Sequence, residues 1–263
     1  MDDTDLDAWP GVFDGYDAIV LVANSEEALA TDMHGFWPGK TLFVFFNDAR
    51  RVLKPGFDHD AILVLRSGRQ GPSVIRRGRL GPVVGHFAPG RLKSILNLVV
   101  DGTERRTDLA SQADHAIVPM DLTAYFAGRY TGGKIPSSGY ALAVWLSDVC
   151  HGRQVVLCGF NALRSESWKV FDIHDWGFEQ TSLRLLKKQG RVAFNPDPSV
   201  QPGAIQALQA QYPDVGLADL VAMHAEVLSE RLEHTNGFVD RLWSVTRFSR
   251  LLRTLLQFGR SRP

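Results

Sequence analysis

His174 and Glu179 stand five residues apart in the run Phe171-Asp-Ile-His-Asp-Trp-Gly-Phe-Glu179. Residues at that spacing need not share a helix face, which takes three or four. An imidazole with carboxylates nearby can be tuned to take a proton near neutral pH, so His174 is a candidate general base. The plain alternative is a histidine at the surface or satisfied in the core. A second candidate is Pro136-Ser137-Ser138-Gly139, directly ahead of an apolar helical pattern. A serine hydroxyl there can accept a hydrogen bond from an otherwise unpaired backbone N–H. The remaining N–H groups and the helix dipole favour an anion such as phosphate or carboxylate. Gly139 would let a ligand approach the backbone closely. The plain alternative is a capped helix. Other chemistries are not written in the chain. It has no HExxH or CxxC metal spacing, no GxGxxG, no Walker lysine loop and no GxSxG elbow. No metal is expected.

Several apolar, β-rich runs must position these residues. They are Ala18–Ala23, Thr41–Phe46, Ala61–Leu65, His115–Pro119 and Gln154–Cys158. Continuous apolar runs fit strands buried on both faces, as in a parallel sheet covered by helices. Helix-like segments lie between them, Ser25–Ala30 and Tyr140–Cys150 most clearly. The alternation predicts an α/β class, a Rossmann-like, doubly wound, mostly parallel sheet. Ligands in such sheets sit beyond the carboxyl ends of the strands. Three of those ends carry small polar groups: Asn24-Ser25, Asn47-Asp48 and Gly159-Phe160-Asn161. From about Gln201 the pattern becomes helical, which divides the chain into a core over 1–200 and a C-terminal helical segment over 201–263. Asn236-Gly237 reads as a stop between a first helix there and a second over Phe238–Phe258.

Composition narrows the function classes. An apolar fraction of 44% supports a sizeable core, and 29 basic residues balance 29 acidic ones. That balance argues against general nucleic-acid binding. Two cysteines, Cys150 and Cys158, cannot make a disulfide framework and are expected as buried thiols. No signal-peptide pattern and no 18-residue apolar run is present, so a cytoplasmic protein is expected. Arg66–Arg79 holds five arginines and no acid among several glycines, and reads as an exposed loop. The tail from Arg241 carries six arginines and no acid. Its helix is basic and amphipathic, which leaves two places for it: an anionic membrane surface, or the apolar core.

Together these segments resemble glycosyltransferase family 29, the sialyltransferases. Val20-Leu21-Val22-Ala23-Asn24-Ser25 and Phe43-Val44-Phe45-Phe46-Asn47-Asp48-Ala49 are similar to that family's long motif. Pro136 through Phe160 is similar to its short motif, and His174 to Glu179 to its last motif, His-x-x-x-x-Glu. The resemblance spans roughly residues 15–195. It implies an inverting transferase, a GT-A-like variant of the Rossmann fold, that needs no cofactor or metal. The donor would be CMP-sialic acid, CMP-Kdo or another CMP-activated 2-keto sugar acid, and the acceptor a hydroxyl of a glycan or glycolipid. By the same resemblance Asn24, Ser25 and Asn47 would contact CMP, and Gly159 would line the nucleotide pocket. Ser137, Ser138 and Gly139 would hold the donor near its phosphate and carboxylate. His174 would act as base and Glu179 would support its motif. The chain lacks the family's long-motif cysteine and its His-rich motif; Arg164 or Lys169 would bind phosphate in the latter's place. A bacterial-type member building cell-surface polysaccharide would work on the inner face of the cytoplasmic membrane. The alternatives are a non-catalytic nucleotide-binding or scaffold protein, and another α/β transferase such as a methyltransferase.

Overall fold

A computed structural model of the protein describes residues 12–33, 39–68, 70–104, 109, 115–130, 133–161, 173–195 and 204–258. The chain divides into two compact units, Met1–Pro198 and Ser199–Pro263. The described strands of the first are β1 (Ala18–Val22), β2 (Thr41–Phe46), β3 (Ala61–Arg66), β4 (Leu92–Val99), β5 (Val118–Asp121), β6 (Gln154–Cys158) and β7 (Ala193–Asn195). Its helices are α1 (Glu26–Ala30), α2 (Gln70–Arg76), α3 (Leu80–Val84), α4 (Thr123–Phe126), α5 (Ser138–Val149) and α6 (Trp176–Lys188). The second unit contains α7 (Ala204–Gln211) and α8 (Leu217–Phe258).

The seven strands form one sheet in the order β5-β4-β3-β2-β1-β6-β7, and every neighbouring pair is parallel. The chain builds outward from β1 to β5, then crosses back and adds β6 and β7 on the other side of β1. This is a Rossmann-like, doubly wound α/β fold. All residues of β1, β2 and β3 are buried, because helices cover both sheet faces. Strand alternation sends Ile19, Leu21, Val44, Ile62 and Leu157 to one face, where they meet Trp145, Leu146 and Leu183. It sends Val20, Val22, Phe43, Phe45 and Leu63 to the other, against Ala28, Val74 and Val83. Each large apolar side chain so buried contributes about 1.5–3 kcal/mol.

Register decides where the loops emerge. Val22 pairs with Phe45 of β2 and Cys158 of β6, so these three strands end level with one another. The turns at Asn24-Ser25, Asn47-Asp48 and Gly159-Phe160 therefore leave the same edge of the sheet.

Four features differ from the sequence expectation. First, β4 and β7 are additional strands. Lys93, Ser94 and Asn97 interrupt the apolar pattern of β4, and β7 is three half-buried residues at the sheet edge. Second, β5 begins at Val118 rather than His115. Third, Arg66–Arg79 is not an exposed loop: Arg66 ends β3 and is buried, and α2 occupies 70–76. Pro72 falls in the first turn of α2, where an N–H has no intrahelical partner to lose. Gly78 ends the helix at φ +61°; its N–H reaches the carbonyl of Ile75, and that of Arg79 reaches Val74. Fourth, Asn236-Gly237 stops nothing, and α8 runs straight through it. Glycine weakens a helix interior by about 1 kcal/mol without forbidding it.

Candidate active site

The order of the strands reverses between β1 and β6, which is where open α/β sheets leave a crevice beyond their carboxyl ends. Asn24-Ser25 and Gly159 meet there. Gly159 has φ +73°, and a Cβ on it would lie 2.3 Å from Ser25 Oγ and 2.7 Å from Ala28 Cβ. Only glycine lets the two turns approach this closely. Ser25 caps α1, its Oγ accepting from Ala28 N–H at 3.1 Å. Asn24 Nδ2 donates to the carbonyl of Phe46 at 2.8 Å, while its buried Oδ1 has no partner among the described residues. Asn161 Nδ2 donates to Glu27 Oε2 across the same crevice at 3.0 Å.

The start of α5 lies against this edge. A Cβ on Gly139 would come within 2.8 Å of the Phe160 ring, which follows β6 directly. Ser137 caps the helix, with Oγ accepting from Tyr140 N–H at 3.2 Å. Its own hydroxyl and N–H donate to Glu179, at 2.6 and 2.7 Å. Tyr130 donates to Glu179 Oε1 at 2.8 Å, and its hydroxyl accepts the N–H of Asp175, the cap of α6. Glu179 is thus almost fully buried among three donors. Burial raises its pKa above the ordinary carboxylate value, against the pull of those hydrogen bonds. Ser137 is consumed by this network, so it shapes the helix start. The N–H groups of Ser138 and Gly139 have no partner among the described residues.

Arg66 joins the two halves. Its guanidinium grips Glu104 with both arms, at 2.7 and 2.8 Å, and Nη1 reaches the carbonyl of Pro136 at 3.1 Å and Ser138 Oγ at 3.4 Å. Asn47, in the left-handed region at φ 50°, accepts the Arg66 N–H on its Oδ1 at 3.0 Å. An asparagine tolerates that conformation better than most residues. Sequence reasoning missed Arg66, Glu104 and Tyr130. A charged residue ending the otherwise apolar run Ala61-Ile-Leu-Val-Leu-Arg66 was the available signal.

His174 sits beside the same segment. Its Nδ1 lies 2.7 Å from the carbonyl of Ile135, so that nitrogen carries the proton and Nε2 keeps its lone pair. Burial lowers its pKa below the usual 6.5, against the hydrogen bond to the Ile135 carbonyl and the charge of Glu104, while Arg66 and Lys134 push the same way as burial. The Trp176 ring stands edge-on to the imidazole, 5.2 Å between centroids. The imidazole is therefore neutral at neutral pH, as a proton acceptor must be.

The described candidates Asn24, Ser25, Asn47, Ser137, Ser138, Gly139, Gly159, His174 and Glu179 form one chain of contacts along the carboxyl edge. Arg164 and Lys169 lie outside the described residues. Cys150 and Cys158 are buried and unbridged, and burial pushes the Cys150 thiol up to about 11, unsuited to nucleophilic work. Among the described residues no three His, Cys, Asp or Glu side chains gather to hold a metal ion, and no helix is long and apolar enough to cross a membrane.

No family model matches the chain, and no curated protein matches it. Among solved structures it is similar to the monofunctional alpha-2,3-sialyltransferase Cst-I from Campylobacter jejuni, at 13% sequence identity and a TM-score of 0.43, over 69% of this chain and 75% of that one.

Proposed function

We propose that this protein is an inverting glycosyltransferase that moves a 2-keto sugar acid, of the sialic acid or Kdo kind, from a CMP donor to a hydroxyl of a glycan or glycolipid. The observation that carries the reading is a pair of functions on one short segment. His174 offers an unprotonated Nε2 while bonded to Ile135, and three residues further on the start of α5 offers unpartnered N–H groups at Ser138 and Gly139. The motif resemblance supplies the donor class.

In this mechanism the acceptor hydroxyl gives its proton to His174 Nε2 as its oxygen bonds to the anomeric carbon. The bond from that carbon to the phosphate oxygen breaks in the same displacement, which inverts the centre and releases CMP. The N-terminus of α5 stabilises the charge that develops on the departing phosphate. Arg66 holds that N-terminus through the Pro136 carbonyl and the Ser138 hydroxyl. Asn24 Oδ1, a buried acceptor without a donor among the described residues, is available to an N–H or O–H of the nucleoside.

CMP release from CMP-sialic acid and from CMP-Kdo, measured across an acceptor panel, tests the reading. Release with one donor is expected, and His174→Ala should abolish it while CMP still raises the melting temperature. No release with either donor, or stabilisation by S-adenosylmethionine or a nicotinamide nucleotide instead of CMP, would overturn it.

A further inference from the structure

The chain's overall balance of charge hides a division. Residues 49–93 carry ten basic and two acidic residues, a net of +8, and the rest of the chain carries 19 basic and 27 acidic ones, a net of −8. The fold gathers part of that excess into one knot. Asp48 follows Asn47 at the carboxyl end of β2 and holds Arg50 Nε at 2.6 Å and Arg79 Nη1 at 2.9 Å. Arg51 continues the turn that carries Arg50, and Arg76 and Arg77 stand beside Arg79 in the turn that closes α2. Five guanidinium groups thus share one carboxylate, for a net of +4. The two acids of 49–93 lie elsewhere: Asp60 is held by Arg91 and Lys93 where β3 begins, and Asp58 lies beside His59. Arg51, Arg76, Arg77 and Gly78 are exposed, and the side chains of Arg50 and Arg79 are 34% and 41% exposed. Among the described residues neither Arg76 nor Arg77 meets a carboxylate; Arg76 Nε donates to the carbonyl of Pro72 at 3.3 Å. Crowding like charges this way works against the compact state, and no core contact calls for it.

We infer that this knot docks on an anionic phospholipid surface. A guanidinium meets a phosphate with two parallel N–H groups, which an ammonium cannot offer. Five of them on two adjoining exposed turns suit a plane of many phosphates, whereas a single bound anion would need them to converge in a pocket. The division of charge sets the orientation, since such a surface attracts residues 49–93 and repels the acidic remainder. Asn47 adjoins the knot, so docking brings the carboxyl edge of the sheet and its crevice close to the lipid, where a glycolipid acceptor is carried. The inference itself rests on the charges and is independent of the catalytic reading.

Sedimentation of the full chain with vesicles is the test. The protein should bind phosphatidylcholine vesicles that contain about 30% phosphatidylglycerol, ignore pure phosphatidylcholine vesicles, and detach as salt is raised. Arg76→Gln/Arg77→Gln should weaken that binding about thirtyfold, roughly fivefold for each charge removed. Both side chains are exposed, so this variant should keep the melting temperature of the parent. No binding to the anionic vesicles, or equal binding to both kinds, would overturn the inference. Binding that survives Arg76→Gln/Arg77→Gln and is lost in Arg247→Gln/Arg250→Gln/Arg253→Gln would overturn it in favour of the C-terminal tail. Binding to soluble heparin without binding to vesicles would overturn it in favour of a soluble polyanion. A melting-temperature response to CMP that is present in the parent and lost in Arg76→Gln/Arg77→Gln would overturn it by placing these arginines at the donor site.

Discussion

The Arg66–Glu104 pair gives the sharpest test of how the site is held. Both side chains are only 7% exposed, and the pair spans 38 residues of sequence. Replacing Arg66 by Met leaves Glu104 buried with, among the described residues, only the N–H groups of Val100 and Asp101, at 3.1 and 3.3 Å. It also strips the Pro136 carbonyl and Ser138 hydroxyl of their donor. Orphaning one member of a buried ion pair costs about 3–5 kcal/mol. At roughly 2–4 °C per kcal/mol for a unit of this size, the melting temperature should fall by about 10 °C. Removing both charges, in Arg66→Met/Glu104→Leu, should cost well under the sum of the single changes, because the second substitution removes the stranded charge. A coupling of about 2 kcal/mol or more is expected. Urea unfolding of the four members of the cycle measures it. A single variant within about 1 kcal/mol of the parent, or strictly additive losses, would refute the account. CMP affinity supplies the second readout, taken well below the melting transition. Arg66→Met should weaken it by loosening the start of α5, and unchanged affinity would reduce the pair to a fold staple.

Four further outcomes are expected. Gly159→Ala combines a left-handed backbone with a Cβ 2.3 Å from Ser25 Oγ, and should cost roughly 2–5 kcal/mol in urea unfolding. Gly139→Ala meets only a ring that can swing, so its stability should stay within about 1 kcal/mol while CMP affinity drops; the reverse ranking would contradict both close approaches. Because burial lowers the pKa of His174, kcat/KM should rise with pH along a limb centred below 6.5 and then level, and a limb centred above 6.5 would remove His174 as the base. Glu179 has a folded pKa above its ordinary value, so the stability it contributes is full below about 4.5 and is lost as pH rises through the folded value. Glu179→Gln should flatten that slope, and a parent that gains stability over Glu179→Gln as pH rises would reverse the sign of the burial effect.

The sheet was legible in the sequence where burial is symmetric. β1, β2 and β3 are apolar on both faces, so continuous runs announced them. β4 and β7 were not legible, because strands away from the sheet centre keep polar residues and lose the pattern that marks a buried run. Asn236-Gly237 misled for a related reason. A helix stop needs glycine in the left-handed conformation, and Gly237 stays helical because α8 gains more by continuing than by turning.

The candidate site was legible as a set of residues and illegible as a set of atoms. The family resemblance put Asn24, Asn47, Ser137, Gly159, His174 and Glu179 in one group, and their contacts run along the carboxyl edge. Their polar atoms, however, are largely engaged with one another across long separations: Ser137 with Glu179 over 42 residues, His174 with Ile135 over 39, Arg66 with Pro136 over 70. No local pattern encodes such pairs, since each depends on which turns the sheet order brings together. Ser137 illustrates the consequence. Its hydroxyl accepts from Tyr140 and donates to Glu179, so a residue read as gripping a ligand instead fixes the helix end on which its neighbours act. What remains among the described residues is a short inventory: the N–H groups of Ser138 and Gly139, Asn24 Oδ1 and His174 Nε2. Those atoms comprise two donors for an anion, one acceptor for a polar hydrogen and one base. An enzyme that expels a phosphate while deprotonating a hydroxyl would use that combination, and the proposed transfer gives each of these atoms a part.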